Sequence, residues 1–540
     1  MVRIAFFLLL PLPLFLPYLW LDHLYFWGNP DSIYYLNLYT SYRDALWHGE
    51  LFPHWIADVN DGLGSLVFYH RAPLVYTITA LLSAPFTLSD EHQYLLGIYA
   101  SQLFGAVVIY RWLRVHYDTK PAFYGAFLFT FVPYKWIDIY QHFTLGECWA
   151  IAFIPLWFHA AERLNTRNGI ITYALAAALC FYAHALTVLS VGPLAVAYAL
   201  HCANWQWRSM LKPLILVHLL VLSLIASYLA AMITANPWLQ LDRWSDDKYN
   251  PVTNLYHIDD FIGAYALLFA WLIYRSRKKL ASLGQSKTIT FWCLSLIILY
   301  TLATPLSYPL WANISAMNIF QFPFSRLQPA MAVITALLGV YLLGGKRREF
   351  SIAVISIYAL FTLFSLVHIT LAYQRPHNAD QLTHDLAIQY RIIPGPIHFP
   401  IWATIGQNDL LIEHERYSTM PLMEVKDGRA SIDNVKKNDG QLSAHVTVSS
   451  QDATMVISQF YIPAWKASAD NQPLNVTPYS NGLIQLQLPK GKHHVELAIG
   501  KSLLERIGDA LTLAALTFII GVIACQCSGF VLSKQHDQNT

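Results

Sequence analysis

The sequence predicts a mainly α-helical, polytopic membrane protein of about 12–13 helices, with a small extracytoplasmic β-sandwich before its last helix. Three observations carry this. The 540-residue chain is 55% hydrophobic and 13% charged, with a mean hydropathy of +0.38, whereas soluble domains are about 45–50% apolar and about 25% charged. Apolar runs that reach or approach spanning length recur along the chain. Between residues 420 and 500 the periodicity changes to strand-like alternation.

The apolar runs cover residues 4–21, 97–113, 122–132, 149–161, 170–185, 188–200, 211–233, 261–274, 289–303, 330–343, 352–372 and 510–524. The first resembles a signal peptide. However, Pro11, Pro13 and Pro17 interrupt it, no small-residue cleavage site follows, and Tyr18, Trp20, Tyr25 and Trp27 form an aromatic belt. It is therefore read as a retained first helix. Basic residues orient the rest: Arg111/Arg114, Arg163/Arg167, Arg208/Lys212, Arg275/Arg277/Lys278/Lys279 and Lys346/Arg347/Arg348 should all be cytoplasmic, as should both termini. The five placements agree only if residues 72–86, short and carrying Pro73 and Pro85, are re-entrant or interfacial. An ordinary crossing there would reverse every later loop.

This orientation leaves residues 22–71, 134–146, 236–260 and 304–326 outside the cytoplasm, together with a domain-sized stretch, 373–506. The chain accordingly divides into a transmembrane region (1–372), an outer β domain (373–506) and a final helix with a cytoplasmic tail (507–540). In the β domain, residues 445–449, 455–460, 483–488 and 494–499 read as strands. Asn438-Asp439-Gly440, Asp470-Asn471-Gln472-Pro473, Asn481-Gly482 and Pro489-Lys490-Gly491 read as turns, and short strands at this spacing suggest a sandwich. His493 and His494 are neighbours on a strand and point to opposite faces, so they are read as solvent-exposed rather than as a shared metal site.

Composition also excludes. A net charge of +2 gives no footprint for nucleic acid. The six cysteines (148, 180, 202, 293, 525 and 527) avoid the long polar stretch and form no CxxC pair, so neither a disulfide framework nor a thiolate metal site is expected. Cys525 and Cys527 at a helix end either carry lipid or serve as small buried residues. No P-loop, GxGxxG, GxSxG or HExxH occurs.

The polar residues of interest fall on the outer side. Asp31 follows the first membrane helix and opens an amphipathic run, where it either caps a helix N-terminus or acts as a base. Asp61-Gly62 reads as a turn. Glu147, after Gln141-His142-Phe143-Thr144, stands at the outer start of an apolar helix; it either answers the helix dipole or serves as a second acid orienting an acceptor or Asp31. His184 inside an apolar span either bonds a neighbouring helix or contacts substrate. Arg326 has no sequence-local acid. It either snorkels or binds phosphate, to which its planar fork is suited.

Several motifs together give the chain a family likeness. They are Asn29-Pro30-Asp31, the G-x-x-x-P-x-W of residues 49–55 with the N-x-G-x-G of 60–64, Phe68-Tyr69-His70-Arg71-Ala72-Pro73-Leu74-Val75-Tyr76, and the Q-F-P-x-x-R ending at Arg326. In the β domain, Tyr461-Ile462-Pro463-Ala464-Trp465 and Leu488-Pro489-Lys490-Gly491-Lys492-His493 add to them. Over nearly its whole length the chain resembles bacterial GT-C superfamily membrane glycosyltransferases, notably the YfhO-like, "6-pyruvoyl-tetrahydropterin synthase-related" membrane branch. The pterin label has no counterpart here, because no three-histidine zinc constellation is present.

The resemblance implies an inverting glycosyltransferase in the bacterial inner membrane. It would move a sugar from a polyprenyl-phosphate donor to an envelope glycan or lipid acceptor, with flippase and donor-synthase partners. The family's first-loop acid maps onto Asp31 and its second acid onto Glu147. Arg326, with His70 or Arg71, would hold the leaving phosphate, and Tyr69 and His142 join the substrate-binding set. Relatives with Asp-x-Asp or Glu-x-Asp bind metal; this sequence has Pro30-Asp31-Ser32, so the resemblance implies the metal-free branch and no cofactor. Two rivals remain open. A lipid-linked saccharide transporter or flippase should show repeats and mid-membrane charges, and a non-catalytic envelope assembly protein should tolerate Asn at position 31.

Overall fold

The computed structural model describes residues 2–15, 30–71, 73–239, 287–314, 322–343, 399–404, 414–438 and 440–538, with the single positions 252, 317, 320, 352 and 356. Helix α1 (Val2–Leu9) stops ahead of Pro11 and Pro13, and α2 (Pro30–Trp47) opens on a proline, whose fixed φ suits a first turn. Next come α3 (Leu74–Ser83) and α4 (Asp90–His116). Helix α4 is capped by the Ser89 side chain on the His92 N–H. It carries Asp90 and Glu91 in its first turn and Arg114 and His116 in its last, the charge order that the helix dipole favours. Helices α5 (Thr119–Thr130), α6 (Leu145–Ala161), α7 (Arg167–Ala183), α8 (Ala185–Cys202) and α9 (Trp207–Ala235) follow. Helices α10 (Lys287–Leu302), α11 (Pro323–Leu343) and, after the sheet, α12 (Leu503–Gln538) complete the described helices used below.

Among the described residues, Asp90–His116, Ala185–Cys202, Trp207–Trp238 and Leu503–Cys525 are long and apolar enough to cross a membrane. A fifth crossing is added if Lys287–Leu302 and Pro305–Asn313, bent by 78°, count as one. Other apolar helices, Leu74–Ser83 and Leu145–Ala161 among them, are shorter. The 12 residues of α5 rise about 18 Å and the 10 of α3 about 15 Å, against a hydrocarbon core of about 30 Å. The predicted runs 261–274 and, apart from two single positions, 352–372 lie outside the described residues, as do residues 16–21 of the first.

One apolar core ties α4 to α5 and α6, α6 to α7 and α8, and α11 to α5 and α8. Leu219 and Leu222 on α9, Ile297 and Ile298 on α10, and Leu513, Phe518 and Ile520 on α12 are exposed. A surface of this kind is costly in water and favourable in lipid.

The C-terminal domain is an antiparallel sheet, comprising β1 (Met423–Asn438), β2 (Gln441–Phe460), β3 (Trp465–Ala469), β4 (Gln472–Leu474), β5 (Thr477–Pro478) and β6 (Leu483–Ile499). The strand order is β1-β2-β6-β3-β4, and β5 also pairs with β6. Two details depart from the expected sandwich of short strands. All six strands share one hydrogen-bonded sheet, and the two segments expected at 445–449 and 455–460 are one 20-residue strand. Pro489-Lys490-Gly491 is likewise no turn but lies inside β6, where Pro489 pairs with Asp452 beside a register shift. Proline and glycine serve there to bend a strand rather than to reverse the chain. Asp470 and Asn471 do turn the chain, with φ of 52° and 65° between β3 and β4, the backbone of a tight hairpin.

Alternation along β2 buries Leu442, Ala444, Val446 and Val448 and exposes His445 and Thr447. From Met455 to Phe460 every side chain is buried. The loop that follows α2 covers the sheet: its Trp55, Leu63 and Leu66 join the sheet's own core.

Candidate functional site

The loop that follows α2 is pinned by the sheet. Asn60, Asp61 and Gly62 turn it with φ of 55°, 56° and 83°, the predicted turn, and Ile56 bridges Ser65. Gly64 (φ +85°) has no room for a side chain, because a Cβ would meet the Trp55 ring at 2.3 Å. The Trp55 indole N–H donates to Gln459 Oε1 at 3.0 Å, and the Gln459 amide donates back to the Gly62 and Ala57 carbonyls. The Phe460 N–H donates to the Leu63 carbonyl at 2.7 Å, and Lys437 pairs with Asp58 at 2.8 Å. From this clamp the chain runs through a 3₁₀ turn, Val67–Tyr69, to His70 and Arg71.

Arg71 reaches a narrow cleft lined by Tyr35, Val75, Tyr76, Thr144, Glu147 and His184. Its Nε donates to the Tyr34 hydroxyl at 3.0 Å, and its guanidinium lies 5.3 and 5.7 Å from the Tyr34 and Tyr35 ring centres. Among the described residues no carboxylate pairs with it. Glu147, buried in the first turn of α6, accepts from the Tyr134 hydroxyl at 2.8 Å. Its other oxygen is 3.6 Å from Arg326 Nη1 on α11, while Arg326 Nε is buried without a hydrogen-bond partner. The acid absent from the local sequence around Arg326 is thus supplied by another helix. His184 sits at the break between α7 and α8, where Nδ1 meets the Thr187 hydroxyl at 2.8 Å. Gly146 lets α6 approach that break, since a Cβ would meet the Ala183 carbonyl at 2.6 Å.

Behind Glu147, Asp138 is fully buried and accepts from the Thr144 hydroxyl and the Cys148 thiol. Burial pushes its carboxyl well up, and the nearby Glu147 charge adds to this. Lys135 is also buried, with its ammonium 3.5 Å from the Phe129 ring centre and no hydrogen-bond partner. Burial brings it down to about 7. Burial, followed by the nearby guanidinium, lowers His70 and His142 to about 4, so both rings are neutral at neutral pH. The described cleft therefore offers two fixed cations and a single carboxylate inside a low-dielectric wall, an arrangement that favours a bound anion.

Of the residues singled out in the sequence, Glu147, Arg71 and Arg326 line or adjoin this cleft. His70 sits beside it with a buried, unpartnered Nε2, and His142 packs by Tyr134, their rings 6.2 Å apart. Tyr69 points elsewhere. It lies between His54 and Trp238, with rings 4.8 and 5.6 Å away, in the contact of loop and sheet. The side chain of Asp31 lies outside the described residues, although its helix turn leads directly to Tyr34 and Tyr35 on α2. Sequence reasoning passed over Tyr34, Tyr35, Tyr134, Lys135 and Asp138. The first two stood in a tyrosine-rich run visible as such, and Lys135 and Asp138 were charges in an otherwise apolar outer segment.

His494 is exposed as expected, but His493 is not: its side chain is only 14% exposed. His493 Nδ1 meets Asp470 at 2.9 Å and is partly shielded, while His494 stacks on His445 at 4.8 Å. Among the described residues no three His, Cys, Asp or Glu side chains group as metal ligands. No protein-family model matches the chain, and no curated protein matches its sequence.

Proposed function

We propose that the protein is an inverting glycosyltransferase of GT-C type, embedded in a bacterial inner membrane and acting on its extracytoplasmic side. In this reading it transfers a sugar from a polyprenyl-phosphate donor to an envelope glycan or lipid acceptor. The observation that carries the reading is the half-buried pair Arg71 and Arg326 around one buried carboxylate, Glu147, at a cleft walled by tyrosines. A phosphodiester supplies the missing negative charge, and aromatic walls suit a sugar ring.

Asp31 removes the proton from the acceptor hydroxyl, whose oxygen attacks the anomeric carbon from the face opposite the phosphate. The carbon–oxygen bond to phosphate breaks, and its electron pair leaves on polyprenyl phosphate. Arg71 and Arg326 receive that charge, and Glu147 orients Arg326. The proton remains on Asp31 until solvent takes it. No metal is assigned a step.

The test uses purified protein, polyprenyl-phosphate sugars and mixed envelope acceptors, with transfer scored by mass spectrometry. Asp31→Asn should lower transfer by about 10²–10⁴-fold, and a chelator should change nothing. Equal transfer by Asp31→Asn would remove Asp31 from the base role and move it to Glu147. Absence of transfer from every donor, with flipping of a lipid-linked saccharide instead, would replace the enzyme by a transporter.

A further inference from the structure

A second cleft, among the described residues, lies at the other end of the helical body. Helix α9 runs from Trp207 to Ala235, where Ala231 and Ala235 join the sheet's core; its start is therefore about 40 Å from the sheet. There, Asn165 from the α6–α7 connection, Asn204 and Gln206 from the α8–α9 connection, and Ser209 and Lys212 from the first turns of α9 line an open cleft of about 510 Å³. Its lining contains amides, a hydroxyl and an ammonium but no carboxylate. Among the described residues Lys212 has no acidic partner within ion-pair distance.

Three further features surround it. Arg163, Arg167 and Arg208 lie in the same two connections or beside them, and Glu162, the acid in the α6–α7 connection, is already engaged by Trp112, His116 and Tyr198. Trp205 and Trp207 are 57% and 58% exposed, with the Arg208 guanidinium 5.4 Å from the Trp207 ring centre; half-exposed indoles beside cations are typical of membrane–water boundaries. Below the cleft, Leu211, Ile215 and Leu219 form an exposed apolar stripe at helical spacing along α9.

We propose that this cleft binds the phosphate headgroup of an anionic phospholipid in the leaflet remote from the sheet. Lys212 answers the phosphate charge, the amides of Asn165, Asn204 and Gln206 donate to its oxygens, and an acyl chain follows the Leu211–Ile215–Leu219 stripe. That stripe selects a lipid over free phosphate, because a free anion has no use for it. The proposal is independent of any activity at the opposite cleft.

Native mass spectrometry of the full-length protein released from detergent tests it, with phosphatidylglycerol and phosphatidylcholine offered in turn. Phosphatidylglycerol adducts should survive at activation energies that strip phosphatidylcholine. Lys212→Ala should weaken phosphatidylglycerol retention about fivefold, while Arg111→Ala, an exposed cation outside the cleft, should leave it unchanged. Lys212 is exposed, so its replacement does not threaten folding; Ser209→Phe, which fills the cleft, provides a second, charge-neutral probe with the same expected loss. Equal retention of the two lipids, or equal effects of Lys212→Ala and Arg111→Ala, would overturn the site. Competition by millimolar inorganic phosphate would overturn the lipid assignment.

Discussion

Helix α6 carries a shielded carboxylate at each end, and the two are treated differently. Glu162, just past its last turn, accepts from Trp112 Nε1 at 2.9 Å, His116 Nε2 at 3.0 Å and Tyr198 Oη at 2.7 Å, with His159 at 3.4 Å. Burial alone would raise this carboxyl, but the hydrogen bonds from His116, His159 and Tyr198 hold it at about 2. Glu147 has one phenol at 2.8 Å and one loose cation at 3.6 Å, and that cation keeps an unpartnered Nε. A saturated carboxylate braces helices. An undersupplied one beside spare guanidinium donors leaves bonding capacity for something else, and unmet capacity in a buried site marks function better than charge does.

That contrast breaks most sharply under paired isosteric changes. Glu147→Gln should lower sugar transfer by about 10²-fold while moving the melting temperature little. Glu162→Gln should do the reverse, costing about 1–3 kcal/mol of stability as donors lose their acceptor, with transfer per folded molecule unchanged. Thermal unfolding in detergent beside the transfer assay reads both. Similar destabilisation by the two variants, with transfer intact in each, would make Glu147 a brace as well.

A second, smaller effect concerns how the cleft receives Arg71. Gln459→Ala leaves the Trp55 N–H and the Gly62 carbonyl without their partner and should cost about 1–3 kcal/mol. Hydrogen exchange should then quicken at residues 55–66 before it does in the helices. Unchanged protection there would mean that the loop holds Arg71 without the sheet.

The smallest expected effect is on pH. His70 titrates at about 4 in the folded protein because of burial and then Arg71, and near 6.5 when unfolded. Between those values the unfolded chain binds more protons, so stability falls as pH drops from about 6.5 to about 4. His54, lowered to about 4 chiefly by burial, acts in the same direction. His70→Gln should flatten the dependence of melting temperature on pH in that window; an unaltered slope would show that His70 is not protected from solvent.

Much of this was legible beforehand, for identifiable reasons. Helix positions followed from the apolar runs, and the strands from alternation such as Leu483-Ile484-Gln485-Leu486-Gln487-Leu488. Local pattern does not carry strand length past a bulge, which is why Pro489-Lys490-Gly491 passed for a turn. Tyr69 and Arg71 belong to one sequence motif, yet after a 3₁₀ turn Tyr69 packs in the sheet's core while Arg71 lines the cleft.

What the sequence determined by itself was the polarity of each segment and its period: apolar helices, four of those described being long and apolar enough to cross a membrane, and one alternating domain. These depend on burial of each residue's own surface and on near neighbours along the chain. What only the tertiary structure decided was partnership. Arg326 and Glu147 are 179 positions apart, as the two residue numbers show, and Gln459 meets Trp55 across 404. No local rule encodes which distant donor reaches which acceptor, because that is settled by how the helices and the sheet pack.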